Sequence, residues 1–189
     1  MAQFLSPYWC GLEWSEWIYL AASITEFKRC ITRDPGFYRV RIMGRETLAY
    51  VGQTGRDLRE RTRALASHTG RPTDDPPWND PHTAAPGLWA WKTEEGFEYE
   101  VSVAVRRVSA SHRQCMEDRL LYEYRLKKGE STLANHGRFH PRWERPSNKK
   151  QGRRMKRLPA DQPNKGAGPS LAPRSGEGQP VQADWLGLP

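Results

Sequence analysis

Apolar residues recur at three- and four-residue steps over Glu13–Phe27, where Trp14, Trp17, Ile18, Ala21, Ile24 and Phe27 share one helical face. The spacing predicts an amphipathic helix packed on the domain, with its tryptophans as core. Asp34-Pro35-Gly36 breaks that pattern. The period then changes to two: over Phe37–Ile42, Phe37, Arg39 and Arg41 alternate with Tyr38, Val40 and Ile42, which reads as a strand. Met43-Gly44-Arg45-Glu46 supplies a turn, and Thr47–Gly52 forms the second strand of an antiparallel hairpin.

Asp57 is suited to cap a helix over Leu58–Ser67, on which Leu58, Arg61, Ala64 and Leu65 recur at helical steps. Residues 69–87 are too rich in Pro, Gly and Asp for a regular element and are expected to form a long loop. Leu88–Lys92 reads as a brief helix or strand. Phe97–Val108 alternates cleanly and predicts a third strand. Ser111–Lys127 carries Cys115, Met116, Leu120, Leu121, Tyr124 and Leu126 on one side, a helix ended by Gly129, and Asn135-His136-Gly137 opens a return loop. The expected architecture is α+β: a small three-stranded antiparallel sheet flanked by helices.

Composition adds a tail to this picture. Residues 141–189 hold eight of the 15 prolines and six of the 16 glycines, with almost no apolar period, and are expected to be largely disordered. Ten basic and four acidic residues lie there, so six of the eight net positive charges belong to the tail. Arg142, Arg145, Lys149, Lys150, Arg153, Arg154, Lys156 and Arg157 stand against Glu144 alone over 142–157, a composition that binds phosphates without reading sequence. Trp143 is placed to stack on a base, and Trp185–Leu188 reads as a short docking segment or as nothing. Cys10, Cys30 and Cys115 have no CxxC spacing, which argues against a disulfide framework or a zinc knuckle and for a reducing, cytoplasmic setting. The longest apolar run, Trp17–Ile24, is too short to span a bilayer and is not preceded by a basic segment.

Gly36-Phe37-Tyr38, Tyr50-Val51-Gly52 twelve residues after the first tyrosine, and Asp57-Leu58-Arg59-Glu60-Arg61 together resemble the opening of the GIY-YIG nuclease domain. That family includes phage intron homing endonucleases, certain restriction enzymes and the incision subunit of bacterial nucleotide-excision repair. It continues with a glutamate on a later helix and an asparagine beyond it, for which this chain offers Glu117 and Asn135. The resemblance covers Gly36 to Asn135, and together with the periodic and compositional signals it divides the chain into a helical segment over 1–33 packed on a nuclease-like domain at 34–140 and a basic tail at 141–189.

It further implies a Mg²⁺-dependent, or other divalent-metal-dependent, endonuclease acting on DNA, or on RNA. Tyr38 would be general base, Tyr50 its support, Arg61 the phosphate clamp, Glu117 the metal ligand and Asn135 the residue that orders the site. The chemistry of the side chains agrees. A tyrosine serves as base when cations lower its pKa from about 10, and Arg39, Arg41 and the arginine helix are the expected field. A guanidinium fork suits a phosphate, and one carboxylate with waters and substrate oxygens suits Mg²⁺.

Two carboxylates compete for the metal. Glu123 lies twelve residues before Asn135 and Glu117 eighteen, but Glu117 is followed at three and four positions by Leu120 and Leu121, as in the family. Arg59, Arg63, His68, Arg142, Lys149, Lys150, Arg153 and Arg154 are the expected nucleic-acid contacts. The chain departs from the family at Gln53, where a lysine is frequent, in Gly55-Arg56, and in the Pro-rich loop. These departures keep a catalytically inactive nucleic-acid-binding module as the alternative. His136 and His140 have the spacing of helical metal ligands, but Gly137 and Pro141 argue against a helix and leave a zinc or HNH-type site as a distant option.

Overall fold

A computed structural model describes residues 2–77, 84–136, 138–146 and 155–163. Its centre is strand β4 (Gly36–Ile42), paired antiparallel on one side with β5 (Leu48–Thr54) and on the other with β6 (Tyr99–Val105). Gly44, at φ 71°, makes the left-handed bend of the β4–β5 turn that the sequence predicts. The sheet has four strands and not three, because β3 (Ile18–Tyr19) adds to the far edge of β6, giving the order β3-β6-β4-β5.

That fourth strand overturns the helix expected over Glu13–Phe27. The amino-terminal chain instead forms a hairpin of β1 (Tyr8–Trp9) and β2 (Leu12–Glu13), turning through Cys10 and Gly11 at φ 53° and 71°, as a primed two-residue turn requires. It then runs along β6, where Ser15 N donates to Val103 O (2.8 Å) and Leu20 N to Tyr99 O (2.8 Å). The only helix in the stretch, α1 (Ile24–Cys30), starts where Ser23 caps the backbone N–H of Glu26. Tryptophans at helical spacing are equally well buried by an extended chain that satisfies an open sheet edge, and the edge decides.

Each face of the sheet carries its own core. Tyr38, Val40 and Ile42 of β4 and Tyr50 of β5 pack under α2 (Leu58–Thr69) and α3 (Ala85–Glu95) through Leu58, Leu65 and Leu88. Phe37, Leu48, Val51 and Ala104 pack on the other face against Leu120, Leu121 and Tyr124 of α4 (Ala110–Lys128) and against Phe4, Trp9 and Trp14. Asp57 caps α2 by accepting from Glu60 N (2.8 Å), as expected. Helix α3 takes in the expected brief element at Leu88–Lys92 and the last residues of the expected loop. It begins with Pro86 in its first turn and ends at Gly96 in the left-handed conformation. Residues 78–83 of that loop lie outside the described residues.

The chain after Pro141 also departs from expectation. Strand β7 (Trp143–Glu144) pairs antiparallel with β8 (Lys156–Arg157), and Phe139, Trp143 and Met155 bury against Trp89 and Ala90 of α3. Trp143 Nε1 and Arg157 Nη2 both donate to the Glu94 carboxylate, each at 2.9 Å. A basic, proline-rich composition conceals two apolar anchors, Trp143 and Met155, and they move the edge of the folded unit past residue 141. Among the described residues no helix is long and apolar enough to cross a membrane.

Candidate active site

Antiparallel register puts Tyr38 opposite Gly52 and Val40 opposite Tyr50, so the two tyrosines are diagonal neighbours on one face of the sheet. Their rings lie 5.8 Å apart at 43°. Gly52 makes this possible: a Cβ there would stand 2.6 Å from Tyr50 Cε1 and 2.7 Å from the Tyr38 hydroxyl oxygen. Gly36 is needed for a different reason, since a Cβ on it would meet the Ala104 carbonyl oxygen of β6 at 2.1 Å. Gly52→Ala is therefore expected to force both rings out of place. Loss of about 1–3 kcal/mol of stability is anticipated from overpacking, read as a lowered denaturant midpoint at unchanged slope.

Arg61 reaches this pair from α2, with Nε 3.4 Å from the Tyr38 hydroxyl. Tyr38 accepts from Arg61, an arrangement that favours negative charge on its oxygen. Burial outweighs it. Tyr38 is fully enclosed, and loss of hydration pushes its pKa above the usual tyrosine value despite Arg61. Tyr50 is pushed well above it, first by burial and then by Tyr38 and Glu117.

The expected field from Arg39 and Arg41 is absent here, because the pleat turns both to the opposite face. There Arg39 is wholly buried, with Nη1 donating to Phe4 O (2.6 Å), Nη2 donating to Ser6 O (2.8 Å), and its guanidinium lying on Trp14 and Trp17. Burial pushes its pKa down to about 9. Arg41 pairs with Glu100 at 2.7 Å.

Glu117 comes from α4. Its carboxyl is pushed up to about 7 by burial first and by neighbouring Asp118 second, with Arg61 opposing. It acts electrostatically on Tyr38, Tyr50 and Arg61. Glu123, six residues on, points elsewhere on the helix, where burial first and Glu123 second push the Cys10 thiol up to about 12. Of the two competing carboxylates, Glu117 is the one gathered with the tyrosines.

Asn135 does not touch that cluster. Its buried amide brackets Val51, between Tyr50 and Gly52: Val51 N donates to Oδ1 and Nδ2 donates to Val51 O, both at 2.9 Å, while Thr132 Oγ1 donates to Oδ1 at 2.6 Å. Ala134 N adds a bond to Ala49 O (2.9 Å), so this loop closes the open edge of β5. Asn135 is a positioning residue that holds the Tyr50-Val51-Gly52 backbone.

The expected nucleic-acid contacts scatter. Arg59 is used inside the fold: Nε donates to Ile31 O (2.7 Å) and Nη2 to Lys28 O (3.0 Å), satisfying carbonyls at the end of α1. Arg63 is exposed and lines a surface groove of about 420 Å³ with Arg33 and Ser67. His68 is half-buried, with Nδ1 shielded from solvent. Arg142 is half-buried in the carboxyl-terminal turn, where its backbone N donates to His140 Nδ1 (3.1 Å). Lys149, Lys150, Arg153 and Arg154 lie outside the described residues.

His140 is buried, packs edge-on against Trp91, and has Nε2 at 3.2 Å from Glu95. Because Nδ1 accepts from Arg142 N, Nε2 carries the proton and donates to that carboxylate. This accounts for His140 without a metal. Among the described residues, no three His, Cys, Asp or Glu side chains gather as a metal cage. The donor set at Glu117 is thus one carboxylate within electrostatic reach of a tyrosine pair and a guanidinium. It fits a hard cation that keeps its waters and takes substrate oxygens, as Mg²⁺ does, and not a caged zinc.

One residue near the cluster escapes the sequence reading. Arg113, one helical turn before Glu117, donates from Nε to Gln53 Oε1 (3.1 Å). Its i−4 spacing from Glu117 is the only signal in the sequence.

No family model matches the chain, and neither curated proteins nor solved structures show a match to it.

Proposed function

We propose that this protein is a metal-dependent endonuclease of the GIY-YIG type that hydrolyses DNA phosphodiester bonds. The observation that carries the reading is the meeting of Tyr38, Tyr50 and Arg61 on one face of the β4–β5 hairpin, within electrostatic reach of Glu117 on α4. Phosphodiester hydrolysis needs a proton acceptor, a cationic clamp and a carboxylate for a divalent ion, and this cluster has one candidate for each.

When bound, the metal supplies charge stabilisation on the phosphate and lowers the pKa of its water. Glu117 holds it. Arg61 directs its guanidinium at the phosphate and is oriented by Tyr38. Water oxygen forms the new P–O bond as one ester bond breaks. Its proton passes to Tyr38 as phenolate, a form that burial disfavours and that Arg61 favours. The departing oxygen is protonated from solvent. Tyr50 packs its ring beside Tyr38, while Asn135 holds the backbone between Tyr50 and Gly52.

Supercoiled plasmid incubated with purified protein and Mg²⁺ is expected to be nicked, and Tyr38→Phe to be inactive with an unchanged fold. Glu123→Ala should cut as wild type does. Retained binding without nicking, across several divalent metals and DNA forms, would establish instead the non-catalytic nucleic-acid-binding module. That second reading is favoured by one observation, the enclosure and raised pKa of Tyr38.

A further inference from the structure

We propose that Arg113 is a second phosphate-contacting cation of this site, delivered from α4 to the position where the end of β5 carries the uncharged Gln53. The proposal rests on the nuclease reading of the same cluster. Arg113 lies in the first turn of α4, whose cap Ser109 accepts from His112 N (3.3 Å). A cation in a first turn opposes the helix dipole, so the helix itself gives no reason for a guanidinium there. The reason lies in its surroundings. Nε donates to Gln53 Oε1 at 3.1 Å and Nη1 to the Val108 carbonyl at 2.6 Å, so two acceptors from different segments fix the plane of the fork.

The third nitrogen lies against the chain that joins the tyrosines to α2. A Cβ on Gly55 would stand 2.3 Å from Nη2 and 2.8 Å from Cζ, so the guanidinium occupies the space a side chain at position 55 would fill. Gln53 directly follows Gly52, on which both tyrosine rings rest, and Asp57 opens the helix that carries Arg61. Arg113 is thereby seated over the short link between the two halves of the site. Residues four apart on a helix share a face about 6 Å apart, which sets Arg113 one turn from Glu117. Among the described residues no ion pair joins Arg113 to a carboxylate, and Asp118 and Arg61, not Arg113, are the charges that act on Glu117. With two nitrogens fixed by protein acceptors, its charge is held rigid and remains available to a phosphate oxygen. Arg61 and Arg113 then approach the substrate from α2 and α4, with Glu117 between them in function.

The test compares wild type with Arg113→Ala, Gly55→Ala and the double substitution Gln53→Lys/Arg113→Ala. Plasmid nicking in Mg²⁺ gives kcat and KM, and binding of a labelled DNA duplex without metal gives the salt dependence of affinity. Arg113→Ala is expected to lower kcat/KM about 10²-fold, the usual cost of removing one preorganised donor. It should also reduce the slope of log affinity against log salt by about 0.9, the value for one phosphate contact. Gly55→Ala, which keeps the charge but displaces it, should lower the rate in the same direction. Gln53→Lys in the Arg113→Ala background should restore about tenfold by returning a cation to the same place, an effect that a purely structural role for Arg113 would not produce. An unchanged salt slope in Arg113→Ala overturns the proposal even if the rate falls. Should wild type fail to cut, the nuclease reading falls and the salt slope alone judges Arg113.

Discussion

Glu117→Gln is expected to abolish cleavage and, in the same molecule, to raise stability above pH 7. Cleavage is lost because a neutral amide is a poor ligand for Mg²⁺, and removing several kcal/mol of metal-derived stabilisation corresponds to a rate loss of about 10³-fold or more. Stability rises because ionising Glu117 within the fold is unfavourable. Its folded pKa, about 7, is raised above the ordinary 4.5 by burial and by Asp118. The folded state therefore binds the proton more tightly than the unfolded chain does. This contribution is fully present below the unfolded value and is lost as pH climbs through about 7, so the carboxylate progressively destabilises the fold between those limits. Gln cannot ionise and escapes the penalty, about 1–3 kcal/mol at pH 8. Urea unfolding at pH 4.5 and pH 8 checks both parts: the variant should match wild type at the lower pH and exceed it at the higher. Equal stability at both values would show that Glu117 is solvated and ionised like any surface residue.

Arg61→Lys is expected to lower the single-turnover rate about 10²-fold while leaving the melting temperature nearly unchanged. Both residues carry the same charge, so long-range attraction of DNA persists. What disappears is the planar fork, with which the guanidinium that touches Tyr38 would, on the proposed reading, also reach a phosphate oxygen. Arg61→Ala should cost more, about 10³-fold, since charge and fork both go. The comparison isolates orientation from charge. A lysine variant with the wild-type rate would reduce Arg61 to a point charge in a basic patch.

Several elements were legible because their signals are local. The β4–β5 hairpin follows from alternation and a glycine turn, α2 from its aspartate cap, and α4 from an apolar side bounded by Gly129. The order of Tyr38, Tyr50, Arg61, Glu117 and Asn135 along the chain could likewise be read directly. The choice between Glu117 and Glu123 could not, since six residues along a helix separate two directions and only packing shows which one meets the tyrosines. The structural use of Arg59 was hidden for a similar reason. An arginine that caps carbonyls of a neighbouring helix looks, in sequence, like one awaiting phosphate.

The Trp-rich amino terminus was the largest error of fold, and its cause is tertiary: β6 presents an open edge, and backbone groups at Ser15 and Leu20 bind to it more profitably than to one another. The same holds for Phe139, Trp143 and Met155, whose burial depends on an apolar face of α3 that no local pattern announces. By itself the sequence determined which side chains with reactive chemistry are present, their order, and the periodic elements that bear them, because period, caps and turns are properties of neighbours in the chain. Only the tertiary structure decided which of them meet, how burial shifts Tyr38 and Glu117, and that Arg113 stands beside Gln53, because desolvation and contact are properties of neighbours in space.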